Sequence, residues 1–255
     1  VNNLFEYIKY RWNAKSRHGI HSPFVYDLTD RCFKIPIDEA FIRKRKQLFK
    51  TLKHNKSVLN IKDLGAGSKK LSEKRMVSTI FKVSSSKGKY ADLLYRISAF
   101  YKPQTILELG TSLGTGTIHL SKGNPASKIT TIEGCPQTRK EALKTVDFMQ
   151  CENIECIESD FKSFIANEMH SNIDLLYIDG HHDGEALKTY LNQLDLWISN
   201  DTLILLDDIR WSNSMYQAWK EIISEEKYHV SIDLFRMGLI MKRSQQEKEH
   251  FILNY

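Results

Sequence analysis

The sequence predicts an α/β protein: a seven-stranded, mostly parallel sheet with a final antiparallel hairpin strand, helices on both faces, and a helical N-terminal extension. Three observations carry this. From residue 104 onward, short apolar strands alternate with helix-length segments, the pattern of parallel strands joined by right-handed crossovers. The last two candidate strands have only Arg236 and Met237 between them, too little chain for a crossover helix, so they pair as a hairpin. Charge also divides the chain: residues 1–103 hold 23 Lys and Arg against 8 Asp and Glu, whereas residues 104–255 hold 14 against 23. Such a split suits a basic arm or cap on an acidic domain, with the boundary drawn as 1–86 and 87–255.

Helical segments are expected at roughly 4–15, 38–53, 70–82 and 88–101, separated by loops such as RHGIHSPFVYD (17–27) and the GAGS turn. The chain then enters the sheet at Lys102–Pro103. Strands follow at TILEL (105–109), KITTIE (128–133), IECIES (154–159), IDLLYID (173–179), TLILLDD (202–208), HVSIDLF (229–235) and GLIMK (238–242). PQTRKEALKTVDFM (136–149) and GEALKTYLNQLDLW (184–197) have helical apolar spacing and supply two of the crossovers.

A chain of 255 residues can bury a sizeable core. No apolar run approaches the roughly 20 residues of a membrane span, and VNNLFEYIKYRW lacks a signal-peptide core. Cys32, Cys135, Cys151 and Cys156 show no metal-ligand spacing, so they are expected to be small core side chains in a cytoplasmic protein. Aromatic residues do not alternate with the basic residues around RKRK (43–46), so solvated helix faces are preferred there to a nucleic-acid platform.

Two stretches, IKDLGAGSKK (61–70) and ILELGTSLGTGT (106–117), both run from a strand-like segment into a glycine turn. A nucleotide-type cofactor loop needs a buried strand before it, a helix N-terminus after it, and a carboxylate at the end of the next strand for ribose hydroxyls. Only the second stretch meets these conditions. Gly110, Gly114 and Gly116 supply the turn, with Thr111 and Ser112 between the first two. A short helix opens near Thr117, and Glu133 ends the next strand, twenty-three residues after Gly110. Asp160 stands at the tip of the third strand, where an adenine amino group would be recognised. The first stretch has no such strand and is expected to be a turn, with DLGAGS and RHGIHSPF helping to close the substrate mouth.

Acid is concentrated at two further strand ends. One carries Asp179, followed by His181, His182 and Asp183; the other carries Asp207 and Asp208. Neighbouring parallel strands place these aspartates at one sheet edge, where like charges are costly without a counter-charge such as Mg²⁺. A divalent ion lowers the pKa of a substrate hydroxyl, and a nearby His is suited to take the proton. His181 is expected to be a loop residue, and His18 and His21 to make local hydrogen bonds. Met215 and Trp219 are expected in the core, with Trp211 and Tyr216 candidates for the pocket wall.

The glycine spacing, with Glu108 two residues ahead of Gly110, resembles the first motif of class I S-adenosylmethionine-dependent methyltransferases, a Rossmann-like family. YIDGHH together with LLDDI resembles the metal-dependent O-methyltransferases related to catechol O-methyltransferase, in the branch that reads IDG-x-H and then a DD strand end. The resemblance covers about 87–242, and the N-terminal segments resemble a bacterial branch. It implies S-adenosylmethionine bound by Glu108, Gly110, Thr111, Ser112, Gly114, Glu133, Asp160 and Asp179. It implies Mg²⁺ or a similar divalent cation on Asp179, Asp207 and Asp208, with His182 and Asp179 catalytic. The expected activity is O-methylation of a hydroxylated small molecule or sugar-like acceptor. Membrane partners are not expected, and pairing into a homo-oligomer through helices or the N-terminal arm fits the family. Two other readings stay open: an RNA methyltransferase using the basic arm, and a non-catalytic S-adenosylmethionine-binding module. Against the first, the fourth strand lacks the Asn/Asp-Pro-Pro-aromatic signature common in base methylation.

Overall fold

The computed structural model describes residues 3–15, 22–61, 74–167 and 172–255. The basic N-terminal part opens with helix α1 (Asn3–Asn13) and α2 (Pro23–Asp30), followed by α3 (Glu39–His54). Ser22 caps α2 and Pro23 stands at its first position, so a helix begins inside the segment expected to be a loop. Asp38 caps α3 by accepting from the Phe41 N–H at 2.7 Å. Strands β1 (Val58–Asn60) and β2 (Lys74–Met76) pair antiparallel. The helix expected over 70–82 therefore starts later, as α4 (Val77–Ser84), because residues 74–76 are held in a strand. The DLGAGS segment and His18 and His21 lie outside the described residues.

Helix α5 (Gly88–Tyr101) leads into the main sheet. Its strands and crossovers run β3 (Thr105–Leu109), α6 (Thr115–Gly123), β4 (Lys128–Glu133), α7 (Pro136–Met149), β5 (Ile154–Glu158), α8 (Phe161–Asn167), β6 (Ile173–Ile178), α9 (Gly184–Leu194), β7 (Ile198–Leu206) and α10 (Asn213–Ser224). Strands β8 (Val230–Asp233) and β9 (Gly238–Met241) form the expected hairpin, and β10 (Glu249–Ile252) follows. The order is β10-β8-β9-β7-β6-β3-β4-β5, with β9 antiparallel to both its neighbours. The sheet has eight strands rather than the seven expected. β10, a short segment reading EHFI, gives little strand signal and adds to β8 in parallel. The helix expected to run to 197 stops at Leu194 and tightens into a 3-10 turn over Asp195–Trp197.

Strand alternation sorts side chains into two layers. Ile106, Ile129, Leu175 and Tyr177 pack on one face against α5 and α2, through Leu93, Leu94, Ile97 and Leu28. Leu107, Leu109, Ile132, Leu176 and Ile178 meet α8, α9 and α10 on the other. Met215 and Trp219 are in this second layer, as expected, and Trp219 is 1% exposed; burying such a ring is worth roughly 3 kcal/mol. A third cluster joins α3 and α4 to α6 and α7, and it includes Leu113 from the glycine loop. The N-terminal part therefore supports that loop directly. Among the described residues, no helix is long and apolar enough to cross a membrane. All four cysteines are buried and free.

Candidate active site

Strand β3 lies between β4 and β6, and the chain order reverses there, so a crevice opens beyond the carboxyl ends of β3, β4, β6 and β7. Gly110 leaves β3 with φ +112; a Cβ on it would lie 2.1 Å from the Asp179 carbonyl oxygen. Only glycine lets these two strand ends approach so closely. The loop then turns through Ser112 (φ 49) to Gly114, which precedes α6 as its N-cap.

Two carboxylates hold the loop. Glu108 is buried beneath it, and its Oε2 accepts from the hydroxyls of Thr117 (2.5 Å) and Thr131 (2.6 Å). Burial pushes its pKa up to about 7, and the two threonines pull in the opposite direction. Thr111 Oγ1 joins the same network at 2.6 Å from Thr131 Oγ1. Glu133 accepts from the Ser112 N–H (2.9 Å) and the Cys135 N–H (2.9 Å), and burial raises its pKa. Asp160 follows β5 and accepts from the Ser163 N–H at 2.8 Å; the Ser163 side chain, and then this N–H, hold its carboxyl below the usual range.

The ends of β6 and β7 gather the aspartates. Ligand atoms of Asp179, His182 and Asp208 lie within 4.8 Å of one another. Asp179 Oδ2 accepts from Tyr177 (3.0 Å) and Ser86 (3.3 Å). Asp207 turns to Arg236, which binds it through Nε (3.1 Å) and Nη2 (2.9 Å) and reaches Asp208 through Nε at 2.8 Å. Burial, then repulsion from Asp207 and Asp208, drives the Asp179 pKa well above the carboxylate range. Burial and Asp207 lift Asp208 to about 6 against the pull of Arg236. The His182 pKa is lowered by burial, so the imidazole is neutral near pH 7. His182 and Asp208 both have positive φ (34 and 51). Such conformations for non-glycine residues cluster at functional sites.

Aromatic side chains frame this edge. The Trp211 ring, 59% exposed, lies 5.3 Å from the His182 ring. Tyr216 sits under the Arg210 guanidinium, 4.7 Å away. His181 stacks on Tyr190 and meets the edge of Phe161. Sequence reasoning did not single out Ser86, Tyr177 or Arg236. Tyr177 lies inside the YIDGHH motif itself, whereas Arg236 comes from a hairpin that only the tertiary fold brings to the acidic pair.

The donor set fits a divalent cation. With all three aspartates ionised, one guanidinium would leave the cluster at a net charge of −2, and burial, then mutual repulsion, raises the Asp179 and Asp208 pKa values, a cost that a cation would relieve.

Residues 107–209 match the family model described as a methyltransferase domain. No curated protein matches the chain. Among solved structures, the chain resembles the SAH-bound methyltransferase PaMTH1 of Podospora anserina: 14% identity, TM-score 0.59, covering 88% of this chain and 97% of that one. It also resembles the O-methyltransferase of Bacillus cereus in complex with SAH: 15% identity, TM-score 0.55, with 86% and 96% covered. A third is the O-methyltransferase TomG of Streptomyces achromogenes, involved in tomaymycin synthesis and solved with SAM: 12% identity, TM-score 0.55, with 86% and 94% covered. At these identities the likeness is one of fold.

Proposed function

From the premise of a methyltransferase domain over residues 107–209, we propose that the protein is an S-adenosylmethionine-dependent O-methyltransferase. Its acceptor is a hydroxylated small molecule, and a divalent metal assists the reaction. The observation that carries this reading is the convergence at one sheet edge of the glycine loop, Glu133, and the Asp179–His182–Asp208 group. The solved O-methyltransferases with SAH or SAM bound support the cofactor.

In this reading the Glu133 carboxylate exchanges its backbone partners for ribose hydroxyls, and the Gly110–Gly114 turn admits the amino-acid end of the cofactor. Glu108 holds the loop from below, and Asp160 faces the adenine. Asp179 and Asp208 are the carboxylates that would hold the metal, with Asp207 behind them and anchored by Arg236. When bound, the ion supplies positive charge that lowers the pKa of the acceptor hydroxyl. His182, neutral near pH 7, takes the hydroxyl proton. The acceptor oxygen then forms a bond to the methyl carbon as the carbon–sulfur bond breaks, and its electron pair returns to sulfur. Trp211 borders the acceptor mouth. Residues 1–86 are an extension that braces the loop of a catalytic domain spanning 87–255.

Calorimetry with S-adenosylhomocysteine (SAH) and with Mg²⁺ or Mn²⁺ tests these assignments. Glu133→Ala is expected to weaken SAH by about tenfold or more, since each 1.4 kcal/mol is tenfold, whereas Asp208→Ala chiefly loses the metal. His182→Ala is expected to keep the metal and lose turnover by about 10²-fold, the scale of a general base. Joint loss of metal in His182→Ala would make it a ligand instead. Unchanged SAH affinity in Glu133→Ala rejects the loop assignment, and methyl transfer that persists in EDTA rejects metal assistance.

A further inference from the structure

Helix α3 has two faces of opposite character. Phe41, Leu48 and Leu52 are buried in the cluster shared with α6 and α7. The exposed face of α3, together with Arg45 and Phe49 at the edge of the buried stripe and the turn into α5, lines a cavity of about 500 Å³. Its walls carry Arg45, Lys46, Lys50, Lys53, His54 and Lys87 and, among the described residues, no acidic side chain. Phe49 and Phe81 form its apolar part.

These cations are not neutralised in one common way. Arg45 is fixed by Asp92 and by His119 Nε2 at 2.8 Å. His119 Nδ1–H donates to the Thr115 carbonyl, which leaves Nε2 as the acceptor for Arg45. The Lys87 ammonium donates to two carbonyls, Phe81 (2.6 Å) and Lys82 (2.8 Å). Burial, and then the Arg236 charge, lower its pKa. Among the described residues, no carboxylate pairs with Lys46, Lys50 or Lys53. Like charges gathered around a concave site of small-molecule size favour a compact polyanion.

The cavity is tied along the chain to the candidate active site. Ser86 Oγ lies 3.3 Å from Asp179 Oδ2, and the next residue, Lys87, lines the basic cavity. Ser86 and Lys87 are consecutive residues leading into the start of α5. We propose that this basic groove is a subsite for the phosphate- or pyrophosphate-type group of a small-molecule ligand, placed to hold the anionic end of the methyl acceptor. The acceptor clause rests on the methyltransferase reading; the anion site does not. An RNA strand is disfavoured, because Phe49 and Phe81 meet edge to face (63°, 5.1 Å) and Phe81 is buried, leaving no flat ring on which bases stack.

Calorimetric titration of the full chain with inorganic pyrophosphate, with and without saturating SAH, tests the proposal. Wild type is expected to bind one pyrophosphate, more weakly as salt rises. The double variant Lys50→Glu/Lys53→Glu, at two exposed helix positions, is expected to weaken it by about tenfold or more while keeping SAH affinity and thermal stability. Absent binding, or equal binding in the variant, overturns the site. A single-stranded RNA dodecamer binding more than about 10²-fold tighter than pyrophosphate overturns the small-molecule ligand, since a strand gains from many phosphate contacts. Failure of wild type to bind SAH removes the methyltransferase reading, while the pyrophosphate titration without SAH still decides the groove.

Discussion

The two halves of the sheet's carboxyl edge solve the same problem, buried carboxylates, in different ways. On the β3–β4 side, Glu108 and Glu133 each accept two hydrogen bonds from neutral donors: two threonine hydroxyls for one, two backbone N–H groups for the other. On the β6–β7 side, three aspartates crowd together and lean on one guanidinium and on the hydroxyls of Tyr177 and Ser86. Neutral donors fix the shape of a loop without any ligand, so the first half is preorganised. Charges facing charges require a cation, so the second half depends on Arg236 and on whatever positive charge joins it.

The largest effect is expected where the halves touch. Gly110→Ala drives a Cβ to 2.1 Å from the Asp179 carbonyl at a φ of +112. It should cost more than about 4 kcal/mol in denaturant unfolding, or prevent folding. A loss below about 1 kcal/mol would mean the two strand ends are not locked together.

Next is the cation of the acidic half. Arg236→Met leaves the Asp207 carboxylate, 1% exposed, without its bidentate partner. The expected destabilisation is about 3–5 kcal/mol at pH 7, the cost of breaking a buried pair, and millimolar Mn²⁺ should recover part of the lost melting temperature. A variant that melts like wild type would show that Arg236 is not the counter-ion.

The smallest effect concerns the neutral-donor half. Glu108 has its pKa raised to about 7 by burial, so the folded state holds its proton more tightly than the unfolded chain. This group therefore lowers stability as pH rises from about 4.5 to about 7, and leaves it low above that. Glu108→Gln removes the titration and should flatten that part of the stability–pH curve by about 3 kcal/mol. A variant whose curve keeps the wild-type slope would place the proton elsewhere.

The sequence made the cofactor half more legible than the acidic half. β3, the glycine turn, α6 and β4 are contiguous, so spacing alone carried Gly110 and Glu133 to one edge. β4 matches its expected bounds, Lys128–Glu133. The acidic residues were also visible, but not their division of labour. Asp207 and Asp208 share the Arg236 Nε, but Asp207 is buried with the second guanidinium nitrogen on it, while Asp208, on a left-handed backbone (φ 51), joins Asp179 and His182. No local pattern announces a partner delivered by a hairpin 29 residues on. α2 was hidden because its start, a serine before proline, also signals a turn, and β10 because four residues with a Glu and a His carry little strand periodicity.

A crystal structure of the chain with SAH and Mn²⁺ tests the central claim most directly. The account predicts ribose hydroxyls on the Glu133 carboxylate, the amino-acid end against the Gly110–Gly114 turn, and the sulfur facing Asp179 and His182. SAH bound elsewhere, with Glu133 still held by the Ser112 and Cys135 N–H groups, would contradict it.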